Sequence, residues 1–435
     1  MNEGGTSIID LVRSAGRRGF FHLFGANLLT QIIGFAAQMF LAGILTPLEI
    51  GRIKILQTYA STAGIAGKAG LESSVLKLCS EMRPEEEKRR LFGAGLIGTL
   101  VTSLAALAAL YVLNAWGALS TDADVQTLFW MYLIVLPLQA LADITIMYFQ
   151  ARQEFKVVST IQIVSRGVNF LLIVAATYAL GIIGYVTAVV AGTAGVLAWL
   201  IVRSRKLMII SRRSRLRQDL VAHVPYAKFS VAANLTHQLL TYLEFFFLNY
   251  LVADRVGIGY YGFAMTLLVP FLTVTGTLQQ WMTPRMSAAA HSTPEWYSLY
   301  REYQKWIILG SIGLAVVAGF IVPPGLDLIF GDKFQTTGPL FRWLLVGWAV
   351  RMFYMTKGIA LWGLGEIRVN FYAVLAALPI NAALTYVLVA TNGLWGAAYA
   401  NVGSQIVLAV ISFIVFSRVV RSRDIAAPAS PPSHL

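Results

Sequence analysis

Long apolar stretches alternate with short polar ones along the whole chain. Twelve of the apolar stretches approach the roughly 20 residues that a helix needs to cross a bilayer. They fall at residues 20–45, 53–78, 92–116, 125–150, 157–180 and 182–202, and then at 227–252, 259–281, 306–322, 338–355, 371–390 and 395–417. The pattern predicts an all-α integral membrane protein with twelve transmembrane helices. Between the sixth and seventh stretches, residues 203–217 read RSRKLMIISRRSRLR. Arg203, Arg205, Lys206, Arg212, Arg213, Arg215 and Arg217 make this the most basic segment of the chain. A run so charged resists translocation and fixes the orientation of its neighbours.

With both termini on the cytoplasmic side, alternate loops lie inside, and the basic residues follow. Besides the central seven, the inside set holds Arg13, Arg17, Arg18, Lys77, Arg83, Lys88, Arg89, Arg90, Arg152 and Lys156. It is completed by Arg285, Arg301, Lys305, Lys357, Arg368, Arg418, Arg421 and Arg423. The outside set is Arg52, Lys54, Arg255 and Lys333, with Asp122, Asp124, Asp254, Asp327 and Asp332 beside them. The bias assigns both termini to the cytoplasm.

The two halves share short sequences. Ala26-Asn27-Leu28 with Gln31 recurs as Ala233-Asn234-Leu235 with Gln238, Phe40-Leu41 as Phe247-Leu248, and Ile50-Gly51 as Ile258-Gly259. Both copies start in helices that run outward, so the halves read as parallel six-helix repeats around a central cavity, an arrangement that transporters use to bind between repeats. The expected organisation is an amphipathic or disordered segment at 1–19, a bundle at 20–202, a basic cytoplasmic linker at 203–222, a second bundle at 223–419 and a disordered tail at 420–435. Pro137, Pro270 and Pro379, and the glycines at 64, 67, 70, 93, 95 and 98, are either close-packing positions or hinges.

Composition excludes an ordinary soluble domain. The 435 residues are 57% hydrophobic and 13% charged, about half the usual charged share. The net charge of +13 fits contact with anionic membrane lipid. Cys79 is the one cysteine, so no intrachain disulfide forms. The five histidines show no metal-ligand spacing, and no phosphate loop or nucleophile elbow is present. No cofactor is expected beyond a coupling ion, H⁺ or Na⁺, and no nucleic-acid partner.

A charge inside the bilayer faces a cavity or a partner. Lys68, Arg166, Lys228 and Arg351 are the candidates for a cationic substrate cavity; Lys68 and Arg166 lie deepest, whereas Lys228, Arg351 and also Arg342 are closer to span ends, where a side chain can instead snorkel to the surface. Glu72, Asp143 and Glu244 are candidates for ion coupling or for pairing with those cations. Lys68 and Glu72, four residues apart, can pair on one helix face, and Asp143 can pair with Arg166 across helices. Asn27, Gln31, Asn234 and Gln238, spaced by four on each lead helix, either line a polar lumen or bond helices together.

With these features in place, the chain resembles the oligosaccharide and polysaccharide flippases of the multidrug/oligosaccharidyl-lipid/polysaccharide exporter superfamily. The resemblance lies in the order and spacing of LTPLEIG at 45–51, VGIGYYGFA at 256–264, LIFGDKF at 328–334 and NGLWGAA at 392–398. It implies a substrate: an oligosaccharide on a polyprenyl pyrophosphate, moved from the inner to the outer leaflet of a bacterial plasma membrane for surface polysaccharide synthesis (O-antigen, capsule or exopolysaccharide). Membrane lipids and the polysaccharide polymerase machinery are the implied partners. A Lys or Arg in a partly desolvated cavity suits a pyrophosphate. Two rivals are a cation-coupled multidrug exporter of the same superfamily, which the acidic residues favour, and a membrane polysaccharide polymerase or glycosyltransferase, which the short outer loops disfavour.

Overall fold

A computed structural model of the chain describes residues 20–205, 207–209 and 213–422, with side chains omitted at 20–30, 213, 214, 367 and 370. The expectations for residues 1–19 and 423–435, and for Lys206 and Arg212, lie outside these residues, as does the side chain of Asn27. Everything described is helix or connecting turn. The helices are α1 Phe20–Ile44, α2 Pro47–Lys68, α3 Leu71–Ser80, α4 Glu85–Ala115, α5 Ala123–Tyr132, α6 Val135–Ala151 and α7 Phe155–Ser204. There follow α8 Arg213–Leu251, α9 Arg255–Leu267, α10 Val269–Ala289, α11 Thr293–Phe330, α12 Thr337–Gly363 and α13 Ile367–Ser422, with a short 3₁₀ turn at Gly331–Phe334.

Among the described residues six helical stretches are long and apolar enough to cross a membrane, and a seventh arises if α5 and α6, bent by 41°, count as one. Two of the six hold far more residues than one crossing uses. Helix α7 has 50 residues and α13 has 56; a straight 50-residue helix would be about 75 Å long, more than twice the hydrocarbon thickness. Neither is straight. Gly181 (φ 59°, ψ −140°) breaks α7, and Gly393 (φ 56°, ψ −127°) breaks α13, in a region of backbone space that glycine enters at little cost. Beyond the break in α7, Leu200 packs with Val158 and Ile161. Gly403 likewise lies against Leu384 in α13. Both helices are therefore hairpins of two packed arms, and the breaks fall between the stretches expected at 157–180 and 182–202 and at 371–390 and 395–417.

Other stretches are less continuous than their hydrophobicity predicts. The stretch at 53–78 breaks after Lys68, where Ala69 (φ 49°) and Gly70 (φ 72°) separate α2 from α3. The stretch at 259–281 breaks between α9 and α10 at Leu268, followed by Pro270 in the first turn of α10, a position where proline costs no hydrogen bond.

The chain forms two compact units. One holds the described residues through Leu45 together with Leu56–Leu235; the other holds Thr46–Ile55 together with the described residues from Thr236 onward. The division thus runs inside α2 and inside α8. In the first unit the early part of α8 lies along α3 and α4. Ala227 covers Gly70 so closely that a side chain there would overlap its carbonyl, and Gly93, Gly95 and Gly98 meet Ile209, His223 and Leu220. His223 is fully buried; its Nδ1 lies 2.8 Å from the Ser74 hydroxyl and its Nε2 3.1 Å from the Leu91 carbonyl. In the second unit, the start of α2 crosses α9 at Gly51 and Gly259. A Cβ on Gly51 would stand 2.8 Å from the Gly259 nitrogen, and one on Gly259 would overlap the Pro47 carbonyl. At these positions the glycines serve close packing, whereas Gly64 has nothing within 4 Å of where a Cβ would be.

Candidate functional site

Each unit brings some of the expected charged residues into an interior cluster. In the first unit it forms where α2 ends. Lys68 Nζ lies 2.9 Å from Glu72 Oε2 and 3.2 Å from Asp143 Oδ2. The other Asp143 oxygen accepts a 2.7 Å hydrogen bond from Gln139 Nε2. The break at Ala69–Gly70 does not separate Lys68 from Glu72, so the expected pair forms between two helices instead of along one. The expected pairing of Asp143 with Arg166 is not what is found. Asp143 on α6 faces α2 and is taken by Lys68, while Arg166 on α7 is exposed with no ion pair among the described residues.

Charge balance decides what this cluster can do. Two carboxylates share one ammonium, so the group carries one net negative charge when all three are ionised. Side-chain exposure of 18%, 16% and 24% for Lys68, Glu72 and Asp143 leaves it partly solvated. An anion arriving here meets a cation already neutralised twice, whereas a proton or a monovalent cation would complete the balance. The expectation that Lys68 offers a free positive charge does not survive this geometry.

The second unit holds a different arrangement. Glu244 on α8 is buried and accepts a 3.1 Å hydrogen bond from Asn401 Nδ2 on α13. No cation reaches it within salt-bridge distance among the described residues. Further along the same face of α13, Gln405 accepts a 2.8 Å hydrogen bond from the Tyr354 phenol on α12. Gly347 lets the two helices close up here, with a Cβ placed on it standing 2.7 Å from Asn401 Oδ1 and 3.7 Å from Gln405 Cγ. Arg351 lies one turn before Tyr354, half-buried, and its charge acts on Tyr354 and on His237 of α8. Among the described residues no carboxylate pairs with Arg351.

The remaining expected residues lie apart from these clusters. Lys228 is exposed, its ammonium 5.1 Å from the Phe229 ring. Asn234 donates to Ser230 at 3.3 Å, and Ser230 to Ser73 at 2.7 Å, which ties α8 to α3. Gln31 is exposed and Gln238 half-buried. Arg342 donates to the Gly319 carbonyl at 3.0 Å. Lys357, expected in an inside loop, is instead buried within α12 over the Phe353 ring at 3.6 Å, because α12 continues eight residues past the expected end of its apolar stretch.

Some charges at the polar ends of the helices, by contrast, are closely paired. In the turn before α4, Arg83 bonds Glu81 at 2.8 Å and Glu87 at 2.5 Å. Hydrogen bonding to Arg83 holds the Glu81 carboxyl below its ordinary pKa. Arg152 bonds Glu154 at 2.8 Å and Glu85 at 2.6 Å.

Asn401, Gln405 and Tyr354 were not anticipated from sequence. The available signal was the spacing of Asn401 and Gln405 by four, the pattern that points to Asn27 with Gln31 and Asn234 with Gln238.

A family model described as "Polysaccharide biosynthesis protein" matches residues 17–289. No curated protein matches the sequence. Among solved structures, the chain is similar to an inward-facing multidrug resistance MATE family transporter of the MOP superfamily, with a TM-score of 0.77 and 14% identity over 92% of this chain and 96% of that one. It is also similar to the lipid II flippase MurJ in an inward closed conformation, with a TM-score of 0.75 and 15% identity over 93% of this chain and 89% of that one. A third similar structure is a MOP superfamily transporter from Pyrococcus furiosus, described as having a binding pocket of reversed polarity, with a TM-score of 0.57 and 13% identity over 94% and 96% of the two chains. These likenesses fix the fold as that of MOP transporters.

Proposed function

The chain belongs to the polysaccharide biosynthesis protein family, and from that premise we propose that it is a lipid-linked oligosaccharide flippase. It carries a polyprenyl-pyrophosphate-linked repeat unit from the cytoplasmic to the outer leaflet of the plasma membrane, for assembly of a surface polysaccharide. In this reading α7 and α13 each cross the membrane twice, which supports twelve crossings with both termini in the cytoplasm. The single observation that carries the substrate class is Arg351. An interior guanidinium that pairs with no carboxylate among the described residues can take an anion, and its planar fork suits phosphate oxygens. Arg166 and Lys228, exposed and in no ion pair among the described residues, add positive charge to the first unit.

Coupling falls to the acidic groups. Glu244, held by Asn401 and lacking a cation, and the Lys68 cluster, one charge short of neutrality, are each suited to take up H⁺ or Na⁺. The same acidic groups favour the alternative, a cation-coupled multidrug exporter, which would have no use for an unpaired arginine.

Reconstitution tests the choice. Proteoliposomes containing the full-length protein are loaded with a fluorescent polyprenyl-pyrophosphate oligosaccharide, and its arrival in the opposite leaflet is followed by quencher accessibility. The flippase reading expects transfer that Arg351→Gln abolishes. Transport of a lipophilic cation, with no transfer of the lipid-linked sugar, would overturn it.

A further inference from the structure

The hydrogen bond between Tyr354 and Gln405 has a consequence for substrate choice. Both side chains are half-buried, at a contact between two helices where an apolar pair would pack as well. With its Oε1 taken by the Tyr354 hydroxyl at 2.8 Å, the Gln405 amide is held in one orientation. Its two Nε2 hydrogens then point elsewhere, and among the described residues they have no acceptor. The result is a fixed pair of N–H donors beside the Tyr354 side chain, and Tyr354 follows Arg351 by three residues on α12.

Residues three apart on a helix are neighbours on one face, so Arg351 and the Tyr354–Gln405 pair can meet adjoining parts of one ligand. Sugar hydroxyl and amide oxygens accept hydrogen bonds, and an aromatic face suits the C–H side of a sugar ring. We propose that Tyr354 and Gln405 form the subsite that reads the sugar attached directly to the pyrophosphate. Gln405 donates to an oxygen of that sugar, and Tyr354 is a positioning residue that holds the amide in its donating orientation. The inference rests on the flippase reading and adds a specificity determinant to it. A site built to donate a hydrogen bond discriminates strongly against a ligand that lacks the acceptor.

The test separates the sugar from the phosphate. The full-length protein in nanodiscs is titrated with two probes: sugar-free polyprenyl pyrophosphate, and the lipid-linked oligosaccharide extracted from cells that lack the protein. Gln405→Leu and Tyr354→Phe should bind the sugar-free lipid as the wild type does and the sugar-bearing lipid about tenfold more weakly, the equivalent of one lost hydrogen bond. Gln405→Glu keeps an acceptor for Tyr354 but loses the donors, so it should show the same selective loss while preserving the fold. Equal weakening of both probes, or of neither, in the Gln405→Glu protein overturns the subsite. A wild-type protein that binds neither probe overturns the flippase reading itself, and Arg351→Gln with unchanged binding of the sugar-free lipid removes the phosphate seat alone.

Discussion

Lys68 and Arg351 are both cations inside membrane helices, and the sequence offers both as candidates for a cationic cavity. Their surroundings differ. Lys68 sits between two carboxylates, at 2.9 Å and 3.2 Å, in a cluster with a negative charge to spare. Arg351 has a phenol, an amide and an imidazole nearby and, among the described residues, no carboxylate. A charge's identity says little about its availability; the count of opposite charges within bonding distance says more. By that count the Lys68 cluster has one negative charge to spare, and Arg351 has no carboxylate partner among the described residues.

The largest expected effect is on Arg351. Arg351→Ala should reach the membrane at near-normal abundance, because no carboxylate is left unpaired, and should lower surface polysaccharide about a hundredfold, the upper range for a lost charge-assisted contact. Arg351→Lys should recover part of it. A normal polysaccharide level in Arg351→Ala would remove the asymmetry between the two clusters.

Lys68→Met should act on stability first. It leaves Glu72 and Asp143 facing each other without a cation, and since all three side chains are partly solvated the loss should be about 1–3 kcal/mol, below that for a deeply buried pair. Adding Asp143→Asn should restore most of the membrane abundance. If Lys68→Met is as abundant as the wild type and thermally unchanged, the cluster is not a structural ion group.

Glu244→Gln sharpens the coupling half of the comparison. The amide can still meet Asn401, so folding should hold, but the group can no longer ionise. Transport should lose its response to an imposed H⁺ or Na⁺ gradient while passive transfer continues. An unaltered gradient response would move coupling to the Lys68 cluster.

The smallest effect concerns the polar turn before α4. Glu81 is held ionised by Arg83, so its folded pKa lies below its unfolded one. Such a group adds stability above its unfolded pKa, and loses it as pH falls through the folded value. Arg83→Gln should therefore slightly lower thermal stability near neutrality, flatten the acid limb of the profile, and change nothing through Glu81 once the pH is below both of its pKa values.

Much of this architecture was legible in the sequence because it rests on hydrophobicity and on glycine. The gap between the stretches at 157–180 and 182–202 contains only Gly181, and that glycine is the break in α7. The repeated Ile50-Gly51 and Ile258-Gly259 mark helices that meet at those glycines. What remained hidden depends on three-dimensional neighbours. Nothing in the spacing of Asp143 shows that it turns toward Lys68 and away from Arg166. Gly70 is one of several glycines in its stretch, and nothing in their spacing singles out Ala69–Gly70 as the break; Lys357 looks like a loop charge because its burial depends on the helices around it. Asn401, Gln405 and Tyr354 carry no charge, so they leave almost no trace in an apolar background.

The most direct measurement is the affinity of the full-length protein in nanodiscs for sugar-free polyprenyl pyrophosphate, taken for the wild type, Arg351→Gln and Lys68→Gln at two salt concentrations. Arg351 as the phosphate seat predicts that Arg351→Gln weakens binding at least tenfold and reduces its salt dependence, while folded Lys68→Gln binds no more weakly than the wild type. Weak binding in Lys68→Gln with unchanged binding in Arg351→Gln would contradict it, and would return the pyrophosphate to the first unit.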